Sequence, residues 1–244
     1  MLIIRSEQMR VFEADAEREF TFEMVECLKL HAPRISLLVS ETELKWIVET
    51  DVLRARSYGL MRRGPISLFL QLTLTLGCGF DTDPQLGWIT GILADPSKTD
   101  MLRAQSLYEH FAHYSDRVIG IGYRYPNEAL RKLRNVDFDV AAQDDWSASR
   151  TLEVMSKIYP EKFRLVGEET ASALVHSAAG EAKEYGLPKG RGAAALAVMK
   201  LVLGHRICQD RYYPRITTAL RDPLVSNGAD RLKQVVLRAG EQEF

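Results

Sequence analysis

The sequence predicts an all-α protein made of two tandem, sequence-related helical repeats of about five helices each, packed pseudo-symmetrically. Three observations lead there. The chain repeats itself at a fixed offset of 127 residues, so that Tyr58-Gly59-Leu60 returns as Tyr185-Gly186-Leu187, Pro33 as Pro160, Gly77 as Gly204, Asp83 as Asp210 and Asp95-Pro96 as Asp222-Pro223. Residues 33–96 paired without gaps against 160–223 give 18 identities in 64 pairs, where ordinary composition gives about 4. The shared letters are mostly helix punctuation, glycine after a helix and Asp-Pro before one, and the segments between them space their apolar residues as helices do. A repeat of this size is a unit of structure before it is a unit of function. The expected organisation is repeat 1 over 1–115, a connector over 116–145 and repeat 2 over 146–244.

The first helix is expected over Ser6 to His31, where Met9, Phe12, Phe20, Met24, Val25 and Leu28 recur among charges without proline or glycine. The second opens at Ser40-Glu41-Thr42-Glu43, a capping box whose hydroxyl and carboxylate satisfy free amides, and runs to Tyr58. Gly59 and Leu60 then predict a Schellman ending, with Gly186 and Leu187 doing the same in the copy. Residues 65–76 alternate like a strand from Phe69 onward, but the counterpart at 193–203 is rich in helix formers, so both are expected to be helical. Gly77 and Gly204 are the matching stops. Asp83-Pro84 should open a short fourth helix through Trp88, Ile89 and Leu93, matched from Asp210 to Leu220. Asp95-Pro96 and Asp222-Pro223 should start the closing helices. The connector, with Gly120, Gly122, Pro126 and the acidic run Asp137, Asp139, Asp144 and Asp145, should carry one short helix from Asn127 to Arg134.

Composition narrows the function classes. With 32 basic and 33 acidic residues and no clustered basic run, nothing draws the chain to nucleic acid or an anionic membrane. Cys27, Cys78 and Cys208 form no Cys-x-x-Cys pair, so neither a disulfide framework nor a zinc site is indicated. The N-terminus reaches charge too early for a signal peptide, and no apolar run approaches the roughly 20 residues of a membrane span, so a cytoplasmic location is expected.

Several groups of residues could carry chemistry. Asp81 and Asp83 leave a turn beside Trp88, and paired carboxylates can divide acid and base roles; yet Asp83 and Asp210 also stand where helix caps belong. His110 and His113 share a helix face with Glu109, without a third ligand in sight. His205, Arg206, Asp210 and Cys208 gather after the second copy's stop, but no Gly-x-Ser-x-Gly elbow completes a triad. Neither Gly120-Ile121-Gly122 nor the Gly186 to Gly192 run has the order of a dinucleotide or phosphate loop. No catalytic residue, metal or cofactor is therefore assigned. Both copies do place a basic loop before a helix, Arg62 and Arg63 in one, Lys189 and Arg191 in the other, suited to a partner's carboxylate. Asp81 and Trp88, against Cys208 and Arg215, are where the copies disagree. Tyr58, Tyr185 and Tyr212 join Trp88 as aromatic anchors for a cleft between the repeats. The expected contact set is thus Arg62, Arg63, Asp81, Trp88, Lys189, Arg191, Tyr212 and Arg215.

The opening Ile4-Arg5-Ser6-Glu7-Gln8-Met9-Arg10-Val11-Phe12, the Tyr58-Gly59 helix end and Gly79-Phe80-Asp81-Thr82-Asp83-Pro84-Gln85-Leu86-Gly87-Trp88 resemble a family of small helical bacterial proteins. The genes of that family accompany type VI secretion spike, tip and effector genes in Gram-negative bacteria. The resemblance covers roughly residues 1–96 and implies an accessory role, with no catalytic residues to transfer. Met61-Arg62-Arg63-Gly64-Pro65 departs from the family's more acidic segment, and the second copy is an addition. The expectation is a non-enzymatic adaptor or co-chaperone whose partner is a neighbouring effector or spike component. An immunity protein masking a toxin, and a small enzyme using the Asp81/Asp83 or His205 loop, are the alternatives.

Overall fold

The structure, a computed structural model of the 244-residue chain, describes residues 6–136, 138 and 146–241. Among them every regular element is helical. The first half runs α1 (Ser6–His31), α2 (Pro33–Ser36), α3 (Glu41–Ser57), α4 (Arg63–Leu76), α5 (Gly87–Leu93) and α6 (Asp100–Tyr114). After a π-turn and the short α7 (Arg124–Arg134) come α8 (Ala148–Ile158), α9 (Pro160–Glu184), α10 (Arg191–Leu203), α11 (Pro214–Arg221) and α12 (Gly228–Gly240). Of the connector's acidic run, Asp137, Asp139, Asp144 and Asp145 lie outside the described residues.

The expected local signals act where they can be checked. Ser40 accepts from the Glu43 amide, and the Glu43 carboxylate accepts from the Ser40 amide at 2.9 Å, which is the capping box. The Leu60 amide donates to Ala55 O at 3.2 Å and the Leu187 amide to Ala182 O at 2.8 Å, closing two Schellman turns. The segments after Gly64 and Gly192 are helical, as the copy argument requires.

Other expectations are corrected. Asp83 opens a single 3-10 turn, Pro84–Leu86, and α5 begins only at Gly87. Asp95 does not start the closing helix: it accepts from the Ser97 amide in a turn, and α6 is capped by Thr99 instead. Asp222 likewise turns onto the Leu224 amide, and Asn227 caps α12. Asp-Pro is as good a turn signal as a helix signal, and here a better cap lies four or five residues downstream. The connector helix starts at Arg124, not Asn127, because Pro126 fits within its first turn.

One cluster of buried side chains runs from Phe20 to Ala239. Its centre is α10, where every residue from Ala194 to Leu203 is buried and which packs on α7, α8, α9 and α12. A helix apolar on all sides belongs inside a core. Its sequence counterpart α4 packs on α3 and α6 but keeps one face open.

The ends of α4 and α10 interlock. Gly77 and Gly204 sit at φ +93° and +107°, and a Cβ on either would lie 2.6 Å from Leu203 O or 2.8 Å from Leu76 O. Each helix end therefore rests against the other's last carbonyl. One step further, the Cys78 amide donates to Asp210 Oδ2 at 2.6 Å and the His205 amide to Asp83 Oδ2 at 3.0 Å. Each aspartate also holds its own turn, Asp83 through the Gln85 amide and Asp210 through the Tyr212 amide, both at 2.9 Å.

Candidate functional site

The acidic turn folds inward. Asp81 is buried, and its Oδ2 accepts from Arg54 Nε and from the Tyr58 hydroxyl, each at 2.7 Å. Its backbone oxygen takes the Thr90 hydroxyl. Asp83 is buried too, with three donor atoms around it, two backbone amides and Gln85 Nε2 at 3.1 Å, and with His205 Nδ1 lying 3.3 Å away. Burial would raise its carboxyl, but the His205 ring, the Lys162 charge and the Gln85 amide hold it below the usual range. Both side chains serve the interior, so the expectation that Asp81 meets a partner is corrected. Tyr212 is corrected with it, because it is buried and donates to Asp51 Oδ2 at 2.7 Å. Burial pushes Asp51 up to about 6, the Tyr212 hydrogen bond opposing the shift and the neighbouring Asp210 carboxylate adding to it.

Cys208 and His205 form no nucleophilic pair. Cys208 is buried, and burial raises its thiol far above the reactive range, with Glu181 adding to the effect. Lys200, buried beneath that loop, is satisfied by Glu181 Oε1 at 2.5 Å, His205 O at 2.7 Å and Ser177 Oγ at 3.1 Å. Lys162 differs: it is buried, makes no hydrogen bond, and is lowered to about 8 by burial with only the Asp83 charge opposing.

The two basic loops have unlike surroundings. At the first, Asp100 Oδ2 accepts from the Met61 and Arg62 amides at 3.3 and 3.2 Å, and Asp100 Oδ1 lies 3.1 Å from Arg62 Nη1. The anion suited to that loop is supplied by the chain itself. Arg63 leans on α1, within 3.4 Å of Glu23 and 3.6 Å of Glu19, over the Phe20 ring. At the second loop Lys189 is exposed and Arg191 half-buried, and Gly228 packs against Gly186 O where the first copy has Asp100. Trp88 is half-buried, stacked on His110 with ring centres 5.7 Å apart, and Arg215 is exposed, 3.9 Å from Glu241. These residues are scattered over separate elements. Among the described residues, no group of three or more His, Cys, Asp or Glu could hold a metal ion, and no helix is long and apolar enough to cross a membrane.

A cavity of about 660 Å³ lies elsewhere, between α1, α2 and α4. Ser67, Leu70, Gln71, Leu74 and Thr75 form its floor, spaced as one face of α4. Met24, Leu28 and His31 of α1 make the facing wall, and Tyr123, Tyr212 and Tyr213 close one end. The difference from the second copy explains the opening. There the residues 127 positions later, Ala194, Ala197, Val198, Leu201 and Val202, are buried, and α8 packs directly on α10. In the first copy α1 packs on α2 and α3 and makes no comparable contact with α4. Sequence reading missed this site, though a signal was present: Ser67, Gln71 and Thr75 are polar where Ala194, Val198 and Val202 are not. No family model, curated protein or solved structure matches the chain.

Proposed function

We propose that the chain is a non-enzymatic adaptor or chaperone for a protein partner, built from two helical repeats that pack pseudo-symmetrically through the exchanged Asp83 and Asp210 caps. The observation that supports a binding role most is the contrast between interior and surface. The carboxylates that could perform chemistry are consumed in internal hydrogen bonds, whereas α1 leaves Met9, Phe12, Phe22 and Leu30 between 50% and 75% exposed. Exposed apolar side chains on one helix suit a surface that another chain covers. The α1 segment is also part of the stretch that resembles accessory proteins of type VI secretion, so the partner proposed is an effector or a spike or tip component encoded nearby.

Co-expression of the tagged chain with each neighbouring gene product, followed by size exclusion, tests this reading. A stoichiometric complex weakened at least tenfold by Phe12→Asp with Phe22→Asp is the expected result. Elution of the chain alone beside every neighbour would overturn it. Protection of cells expressing only a toxic effector domain would shift the reading to immunity.

A further inference from the structure

We propose that the cavity between α1 and α4 is a binding site for an uncharged, mainly apolar small molecule carrying an acceptor oxygen, which takes the hydroxyl of Tyr213. The inference is independent of the adaptor reading and rests on different residues. Three features of the cavity carry it. Its volume, about 660 Å³, lies within the range of roughly 300–1,000 Å³ that small-molecule sites occupy. Its lining holds no Lys, Arg, Asp or Glu, and His31 turns its Nδ1 back to Cys27 O, so no fixed charge there would neutralise a phosphate, a carboxylate or an ammonium group, and burying such a charge without a partner is costly.

The third feature is Tyr213. Only 7% of this residue is exposed, yet its hydroxyl makes no hydrogen bond with any described residue. Nor is that oxygen sealed inside the protein, since it is absent from the closed-off polar atoms that include Asp81 Oδ1 and His205 Nδ1. Tyr213 lines the cavity, and its unbonded hydroxyl is the donor that a ligand seated there can meet. Its neighbour Tyr212 has spent its own hydroxyl on Asp51. A buried donor left unmade is expensive, and a ligand oxygen would recover that cost. The Ser67 hydroxyl and the Gln71 amide, one turn apart on the floor, also lack partners and can complete a short polar line along an otherwise apolar ligand.

The second copy shows that an empty volume is not required by the fold. There Met155 and Ile158 of α8, the counterparts of Leu28 and His31, are buried in the core. In the first copy His31 is exposed and turns its Nδ1 to Cys27 O at 2.8 Å instead of filling the gap.

Titration of the full chain with Nile red, a neutral dye with one ring carbonyl, tests the assignment. Saturable one-to-one binding is expected. Tyr213→Phe keeps the ring and removes the unbonded hydroxyl, so it should leave the melting temperature no lower and weaken the dye by about two- to tenfold, the value of one hydrogen bond. Leu74→Trp fills the floor and should remove saturable binding while the helical circular dichroism stays intact. The anionic dye anilinonaphthalene sulfonate should bind at least tenfold more weakly. Equal affinity of a folded Leu74→Trp variant for Nile red, or equal affinity of the anionic dye, would overturn the proposal. So would displacement of Nile red by the partner protein captured by co-expression, which would make the cavity that protein's seat.

Discussion

The residue that ties most together is Asp83, because one carboxylate holds its own turn and receives an amide from 122 positions away. Replacing it with alanine strands two backbone amides in the interior and leaves Gln85 Nε2 with Lys200 O alone, and each lost partner of a buried donor costs about 1–3 kcal/mol. Asp83→Ala should therefore lower stability by at least 3 kcal/mol in chemical denaturation, and Asp210→Ala should behave alike. Asp51 responds in the opposite sense. Burial pushes its folded carboxyl up to about 6 from an ordinary 3.8, so the folded state binds the extra proton between those pH values. The stability it contributes is present below pH 4 and lost as pH rises through 6. Asp51→Asn keeps an acceptor for Tyr212 and should be near neutral at pH 4 but stabilising by roughly 2–3 kcal/mol at pH 8, because two pKa units correspond to about that much. A parallel pair of stability curves for wild type and variant across pH 4–8 would refute this account. Lys162→Met removes a charge that helps keep the Asp83 carboxyl low, so it should move the Asp83 titration upward, read by NMR across acidic pH.

Helix ends were the most legible part of this sequence, because their chemistry is local. The Ser40 box, the Gly59 and Gly186 endings and the Gly77 and Gly204 stops all sit where residue type alone puts them. What could not be read was any feature that depends on a distant neighbour. Asp95 and Asp222 lost the closing helices to Thr99 and Asn227. Arg103 and Arg231, which brace the Tyr58 and Tyr185 carbonyls at 2.6 Å each, went unnoticed because their offset is 128 and not 127. The candidate contact residues fared likewise: Asp81 and Tyr212 look available in sequence, and only the fold reveals that Arg54, Tyr58 and Asp51 claim them. The cavity had only the polar Ser67, Gln71 and Thr75 as a signal, and its shape depends on where α1 lies. At this scale the glycines give a sharp test. Gly77→Ala or Gly204→Ala forces a Cβ against a carbonyl oxygen in a left-handed backbone and should cost about 2–4 kcal/mol. Gly91→Ala, in α5 with nothing within 4 Å, should raise stability by about 0.5–1 kcal/mol. Equal melting shifts at the three positions would sink the interlocking account.

For the molecule as a whole, the same bonds imply that neither half is complete alone. Tyr212 reaches Asp51, Gln85 Nε2 reaches Lys200 O at 3.0 Å, and the two caps cross in both directions. Residues 1–136 and 146–244 expressed separately should show weak helical signal and bind hydrophobic dye, and mixing them should restore a cooperative transition. Two independently melting fragments would contradict the shared core.

The exchanged caps also place a demand on synthesis. A chain leaving the ribosome at roughly 5–20 residues per second needs on the order of 6–25 s to add the 122 residues that separate Asp83 from His205. Throughout that interval the Asp83 carboxylate and the Cys78 amide have no distant partner to meet, and the last turn of α4 has no opposing helix end. The first half thus waits on the second, and any codon change that slows translation of the second half lengthens the time during which the nascent chain is open to proteolysis and aggregation.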